Sequence, residues 1–330
     1  MKKFIVSLFA LAFMGVSVIL PSSADAINIR FATVGNEIHQ TTIAAEYFRS
    51  KIEELSGGTI TVTIFSHGVL GSEREAAEGV SLGTIGMTVV TTDGTLPAWV
   101  PDTQVLSIPF LFTSHEEAYY VLDNLLQDEF APMFYEHGFI HLGFTELGFR
   151  HLTNNVREIR SAQDVAGLTI RVQEAPIWFA FTESIGALGT PIAFGELYTA
   201  LQQGMVDGQE NPVGTIYSSR FYEVQNYLTL NGHTYGAQSV LLNRAIYNSM
   251  TDEQRAWVRE AAAFTTENAR RTVSAQVARQ LEYIKQHMTV TENPDIQSFI
   301  DATAGLHLRD DVRALVNPDL VARVLAMLGR

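Results

Sequence analysis

The sequence predicts an α/β fold made of two successive sets of strands and helices. In the first hundred residues, β-branched runs alternate with segments whose apolar residues recur at helical spacing. A second set of strands and helices begins near Gly148. Further along, Thr251 caps a long helical stretch, with Asp252 and Glu253 in its first turn, where the helix dipole favours acids.

The first set is predicted to be a βαβαβ unit. Its elements are, in order, a strand over 27–34, a helix over 41–55, a strand over 59–65, a helix over 73–82 capped by Ser72, and a strand over 85–91. Gly57 and Gly58 end the first helix. Strands that alternate with helices imply parallel pairing through right-handed crossovers, so this unit forms half of an open sheet.

The rest of the chain continues the pattern with different spacing. Residues 116–137 have mostly helical periodicity, and residues 139–147 and 168–172 are predicted strands. Residues from 293 onward predict short helices. The chain therefore carries a second group of elements after the first sheet, which fits one large domain or two smaller ones.

Composition limits the classes of partner. The 330 residues carry a formal net charge of -14 and include no cysteine. A chain this acidic is a poor nucleic-acid binder, and its long-range field does not attract anions. Any anionic partner would have to be held by local arginines against the global charge. The chain is long enough to bury a core without disulfides.

The N-terminus has the order of a secretory signal. Lys2 and Lys3 precede an apolar run over 4–20, and the small residues Ala24 and Ala26 follow. A permanent membrane anchor is the alternative, because the run is near the lower length limit for a span. The Ala-x-Ala exit favours cleavage after Ala26. We therefore predict a signal peptide over 1–26 and an exported, periplasmic protein without direct membrane insertion after cleavage.

Patterns for catalysis and for metals are weak. Residues 79–83 match GxSxG, but a predicted helix precedes Ser81 and a strand follows it, the reverse of a nucleophile elbow. The nine histidines form no HExxH motif, and there is no glycine-rich phosphate loop. We therefore predict a protein that is not an enzyme, with no cofactor and no metal.

Two arginines and two of their neighbours in sequence are candidate ligand residues. Arg171 lies near the end of an apolar strand, where its planar fork can meet both oxygens of a carboxylate, although an outward-facing arginine on a half-buried strand has the same pattern. The position of Arg150 fits a surface-loop arginine and a ligand-binding arginine equally well. Asn211 precedes Pro212, so it fits both a turn and a ligand donor. Phe194 fits a core position or a ligand platform.

These motifs together resemble one family, the extracytoplasmic solute-binding proteins of TRAP (tripartite ATP-independent periplasmic) transporters. The resemblance covers nearly the whole chain after residue 26. It is carried by Leu70-Gly71, 107–112, Gly148-Phe149-Arg150, Thr153-Asn154, 167–172, 191–202, 206–212 and 221–225.

The resemblance implies a two-domain clamp with its ligand cleft between the domains and a long bracing helix. Domain I would comprise 27–147 plus about 236–275, and domain II 148–235 plus about 276–330. Closure would present a surface to the permease membrane subunits. By position, Arg171 is similar to the main carboxylate-binding arginine, Arg150 to a supporting arginine, Asn211 to a polar donor and Phe194 to an aromatic that packs on the ligand.

The first domain would supply the other side of the cleft. The chain offers six residues there, namely Asn36, Glu37, His39, Thr91, Thr92 and Asp93. Sialic-acid-binding members have an acid where Thr91 aligns, which argues against sialic acid. Hydroxyl-bearing residues beside Glu37 or Asp93 would suit a sugar acid, a uronate or an aldonate.

Other cargoes and roles are compatible with the same residues. A C4-dicarboxylate or other organic acid is the closest alternative, and it would prefer a second cation on the first domain. A cavity lined by Lys51 or Arg74 would therefore count against a sugar acid. The sequence also permits a binding protein that feeds a sensor kinase.

Overall fold

The computed structural model describes residues 26–330. The predicted signal peptide, apart from Ala26, lies outside the described residues. Within residues 26–330, no helix is both long enough and apolar enough to cross a membrane.

Strands and helices alternate through most of the described chain. The strands are β1 (Ile27–Ala32), β2 (Ile60–Phe65), β3 (Met87–Thr91), β4 (Phe139–Asn154), β5 (Thr169–Val172), β6 (Leu188–Pro191), β7 (Gly208–Pro212), β8 (Tyr227–Asn243) and β9 (Thr289–Thr291). The helices are α1 (Gln40–Leu55), α2 (Glu73–Leu82), α3 (Thr92–Thr95), α4 (His115–Val121), α5 (Gln127–Glu136), α6 (Ile177–Ser184), α7 (Leu197–Gln202), α8 (Val213–Ser218), α9 (Arg244–Ser249), α10 (Asp252–Ile284), α11 (Ile296–Thr303), α12 (Asp310–Arg313) and α13 (Pro318–Met327).

The predicted first unit is confirmed. Strand β1 pairs in parallel with both β2 and β3, as βαβ crossovers require. Helix α2 begins with a complete capping box between Ser72 and Glu75 and ends at Gly83, whose φ of 85° suits a residue without a side chain. The GxSxG segment is therefore a helix end followed by a strand, as the sequence predicts.

Two long strands join the halves of the sheet. The strand order is β2-β1-β3-β8-β4-β7-β5-β6, with β9 paired to β8. The first part of β4 pairs with the last part of β8, beside β3, whereas its second part pairs with β7. The register shifts between Glu146 and Gly148 and again between Arg150 and Leu152. Bulges bend and twist a strand, so β4 turns from one half to the other at this point.

Helix α10 crosses both halves. It has 33 residues, starts with a capping box between Thr251 and Gln254, and spans roughly 50 Å at 1.5 Å per residue. Val258 and Ala261 pack in the core around β1 and α1, whereas Ile284 packs in the core around α7 and α8. The predicted long helix therefore contacts the cores of both halves.

Candidate functional site

A small cavity lies where strands of both halves end. The volume of this cavity that the centre of a water-sized sphere can occupy is about 30 Å³. Its lining comes from the start of α1 and α2, the end of β3, the β4 bulge region, β5, β7 and α8. The residues are His39, Glu73, Thr91, Leu147, Arg150, Arg171, Gln173, Phe194, Asn211 and Thr215. Ligands of open α/β sheets bind beyond the carboxyl ends of strands, and this cavity has that position.

Arg171 brings a guanidinium with unused donors to the cavity. Its Nε donates to the backbone oxygen of Ile192 at 2.8 Å, and the side chain is 4% exposed. Among the described residues, neither terminal nitrogen has a hydrogen-bond partner and no carboxylate lies within ion-pair distance. Burial lowers the pKa of Arg171 to about 10, so the group remains a cation at neutral pH. The two terminal nitrogens are therefore available to a planar anion.

Arg150 is held by a partner of its own. Its Nε and Nη2 donate to the carboxylate of buried Glu210, and Nη2 also reaches Asn211 Oδ1 at 3.1 Å. The Nη1 atom is buried and has no partner among the described residues. His233 Nε2 lies 3.4 Å from Glu210 Oε2. The charge of Arg150 is thus largely balanced within the protein, and the arginine positions Asn211.

Asn211 is fixed on both sides of its amide. Its Oδ1 accepts from Arg150, and its Nδ2 donates to Gln209 Oε1 at 2.6 Å. The backbone belongs to β7, which pairs with β4. One amide hydrogen remains for a ligand, because an NH₂ group carries two donors.

His39 and Phe194 close the cavity from opposite halves. Their ring centroids lie 5.4 Å apart at 55°. Phe194 begins a short turn after β6, and His39 is the cap residue of α1. The two rings therefore pack across the boundary between the first set of elements and the second.

Glu73 is a cavity residue that sequence reasoning missed. It is the first residue of α2, and its carboxylate accepts from the Thr91 amide at 3.3 Å and from Thr95 Oγ1 at 2.6 Å. Burial raises its pKa, while the bonds from Thr95 and Thr91 and the charge of Arg171 oppose that shift. The available signal was the Ser72 cap, which places Glu73 in the first turn of α2.

Gln173 and Thr215 were missed as well. Gln173 Nε2 and Thr215 Oγ1 are buried and have no partner among the described residues. Gln173 follows Arg171 by two positions, and residues at that spacing share a strand face, which was a usable signal. A Cβ at Gly94 would lie 1.9 Å from Gln173 Oε1, so a glycine there makes room for the glutamine.

The structure brings six of the ten predicted residues to the cavity and places the other four elsewhere. Glu37 is 74% exposed at the side chain and lies 3.6 Å from His67. The remaining three make contacts of their own: Asn36 Nδ2 donates to Ser218 O at 2.7 Å, Thr92 Oγ1 bonds Ser239 Oγ at 2.9 Å, and Asp93 Oδ2 accepts from Ser107 at 2.6 Å.

The cations and acids of the first half bear on the choice between a sugar acid and a dicarboxylate. Lys51 pairs with Glu54, and Arg74 lies over Trp99, so neither lines the cavity. The acid at the cavity is Glu73 instead of Glu37 or Asp93. No cluster of potential metal ligands occurs within residues 26–330.

The fold and this cavity define a class, the two-domain α/β solute-binding proteins. Within that class, the profile described as "Bacterial extracellular solute-binding protein, family 7" (DctP) matches residues 31–309. The chain belongs to this family. The family resemblance seen in the sequence is thereby confirmed.

Relatives and solved structures agree with this assignment. A solute-binding protein of Verminephrobacter eiseniae is 36% identical over 282 residues, which is 85% of this chain and 83% of the relative. A TRAP periplasmic solute-binding protein from Bordetella is 36% identical, covers 90% of this chain and 98% of its own, and superposes with a TM-score of 0.86. A counterpart from Polaromonas is 33% identical, covers 91% and 98%, and has a TM-score of 0.87.

Proposed function

We propose that this protein captures a small hydroxylated carboxylate of the sugar-acid class, with short aldonates favoured, and delivers it to the membrane subunits of a TRAP permease. One observation carries the proposal. The unused guanidinium donors of Arg171 and the carboxylate of Glu73 line the same cavity. That pairing suits a ligand with a carboxylate at one end and hydroxyl donors at the other.

The carboxylate end would lie on Arg171. A charge-assisted hydrogen bond contributes roughly 1.5–3 kcal/mol, and the fork supplies two in one plane. Asn211 would add a donor from its remaining amide hydrogen, and Phe194 would cover the apolar faces of the carbon chain. The supporting role of Arg150 is then to hold Asn211 through Glu210 and its own Nη2.

The hydroxyl end would face Glu73. A carboxylate accepts but cannot donate, so it selects a partner with an O–H group. A C4-dicarboxylate would instead place a second anion against Glu73, and no lysine or arginine lines that side. Repulsion between like charges in a buried site therefore favours a hydroxylated monocarboxylate over a dicarboxylate.

Bound ligands of similar proteins support this class. The Polaromonas protein was solved with D-erythronate, and the Bordetella protein with density interpreted as pantoate. Both are hydroxylated monocarboxylates with short chains. Because these two proteins are 36% and 33% identical to this chain, we favour such chains over a uronate.

Location and delivery rest on family membership and on the signal-like N-terminus. We propose a periplasmic protein in which ligand contacts to both halves favour a closed state, because a ligand shifts an equilibrium only through contacts that one state lacks. The alternative is delivery to a sensor kinase. Neighbouring genes for permease subunits would favour transport.

Calorimetry and thermal shift test the cargo directly. The chain from Ile27 would be unfolded and refolded to remove carried-over ligand, then titrated with D-erythronate, pantoate, galactonate, glucuronate, succinate and sialic acid. At about 100 times the dissociation constant, a true ligand stabilises by about 2.7 kcal/mol. Tighter binding of succinate than of every hydroxy acid would contradict the proposal.

A further inference from the structure

One ring nitrogen of His39 is hydrogen-bonded within the protein, and the other has no partner among the described residues. The Nδ1 atom accepts from the Thr41 backbone N–H at 3.2 Å, which makes the histidine the cap of α1. The Nε2 atom is buried and has no partner among the described residues. The ring itself lines the cavity and packs on Phe194.

The cap fixes the tautomer of the ring. A backbone N–H can only donate, so Nδ1 must be the unprotonated nitrogen, and in the neutral ring the proton resides on Nε2. Burial lowers the pKa of His39 to about 4, so the ring is neutral at physiological pH. His39 is thus a neutral N–H donor with a defined direction.

Other unpartnered groups surround the same space. Gln173 Nε2 and Arg150 Nη1 are buried donors without partners among the described residues, and Thr215 Oγ1 lacks one as well. Buried polar groups in native proteins are almost always hydrogen-bonded, so several groups without partners around one cavity point to a ligand that supplies acceptors. In the proposed function, the carboxylate of such a ligand binds to Arg171, so these groups would bind its other oxygens.

We propose that His39 is a specificity-determining residue, which donates from Nε2 to a ligand oxygen outside the carboxylate, a hydroxyl or an oxo oxygen. This inference rests on the proposed function and deepens it. Arg171 would bind the feature that all acids share, whereas His39 would bind an oxygen that plain alkyl acids lack. Because His39 lies in the first half and Arg171 in the second, this bond forms only when the clamp is closed.

The test is a change in selectivity. His39→Asn keeps a side-chain acceptor at the cap, since asparagine is a preferred cap residue, and it removes the Nε2 donor. Dissociation constants for D-erythronate and for butanoate, its deoxygenated counterpart, would be measured by calorimetry, with competition for weak ligands. We expect the wild-type protein to prefer D-erythronate by at least a hundredfold, and His39→Asn to reduce that ratio at least tenfold.

A second pair of variants guards against loss of the cap or of the fold. His39→Gln and His39→Met have similar length and both lack the cap, but only glutamine carries an amide donor near the position of Nε2. We expect His39→Gln to retain most of the preference and His39→Met to lose it, with melting temperatures that match each other.

The outcomes separate the two proposals. If the wild-type protein binds none of the acids, the proposed function fails. If it binds them, and His39→Asn and His39→Met still prefer D-erythronate as strongly as the wild-type protein does, the role of His39 is overturned and the proposed function stands. If the wild-type protein does not prefer D-erythronate to butanoate, both proposals fail. Equal weakening of both ligands would assign His39 to packing on Phe194 and would also overturn its proposed role.

Discussion

The two sides of the cavity are built differently. On the β5 and β7 side, Arg150, Glu210, Asn211 and Gln209 form one connected network of hydrogen bonds, and Arg171 is anchored by its Nε. On the α1 and α2 side, His39 and Glu73 are held separately, His39 by the Thr41 amide at the start of α1 and Glu73 by Thr91 and Thr95 at and after the end of β3. A preorganised side suits the part of the ligand that never changes, and separately held groups suit the part that varies among cargoes.

Removing the guanidinium group of Arg171 should have the largest effect on ligand binding. Arg171→Ala deletes two charge-assisted bonds, each worth about 1.5–3 kcal/mol, so affinity for any bound acid should fall by about a hundredfold to ten-thousandfold. Arg171→Lys keeps a cation but loses the planar fork and should lie in between. Calorimetry with circular dichroism would check both, and a loss of only a few-fold in Arg171→Ala would show that the fork does not hold the carboxylate.

Breaking the hydrogen-bond network around Arg150 and Glu210 should lower the free energy of unfolding. Glu210→Gln leaves Arg150 as a buried cation without its counter-charge, which typically costs about 3–5 kcal/mol. Urea unfolding would measure that loss. The double variant Arg150→Met with Glu210→Leu should recover much of it, because no buried charge remains. If Glu210→Gln were as stable as the wild type, the ion pair would not be the element that holds this side together.

Changing the acid at the cavity should alter selectivity. Glu73→Gln removes a carboxylate acceptor while keeping its shape, so affinity for D-erythronate should fall by about ten- to a hundredfold, equivalent to about 1.4–2.8 kcal/mol. Succinate should lose less or gain, because the like charge is gone. Glu37→Ala serves as the matched control, since Glu37 is exposed and outside the cavity. Equal losses for both ligands would argue against a hydroxyl at Glu73.

The smallest expected change in binding is at Asp93. Its carboxylate is fully buried beside Ser107 and does not line the cavity, so Asp93→Asn should keep ligand affinity within about twofold. Its effect should instead appear in stability, because burial raises the pKa of Asp93 from 3.8 to about 6.

The sign of that effect follows from proton binding. Between about pH 4 and 6 the folded protein holds a proton that the unfolded chain releases, so the carboxylate destabilises the fold above pH 6 and not below pH 4. Asp93→Asn should therefore gain about 1–3 kcal/mol at pH 7, and the gain should vanish near pH 4. Urea unfolding at the two pH values measures this; a gain that is the same at both would contradict the buried-charge explanation.

The sequence predicted the second side of the site better than the first. Arg171, Arg150, Asn211 and Phe194 occur in short contiguous motifs, and the family resemblance placed all four at the cavity. The first side is assembled from helix starts and a strand end that are far apart in sequence. Glu73 was missed because its position depends on how α2 meets β3, which periodicity does not report. The two acids that the sequence analysis named instead, Glu37 and Asp93, lie outside the cavity.

The fold shows a similar division. Local signals predicted the βαβαβ unit, the caps at Ser72 and Thr251, and the long helix. The continuity of β4 and β8 through both halves was not predicted. The predicted strand ended at residue 147, beside Gly148, whereas in the structure β4 continues to Asn154 through register shifts at this point. The domain limits near 147 and 235 remain a prediction.

The shared strands β4 and β8 have a consequence for how the molecule can be divided. Each half of the sheet contains one part of both strands, and α10 contributes to the cores of both halves. No single cut in the polypeptide therefore yields a fragment with a complete sheet, and a truncated gene product would expose unpaired strand edges that invite aggregation. Although the clamp has two halves, neither half should fold without the other.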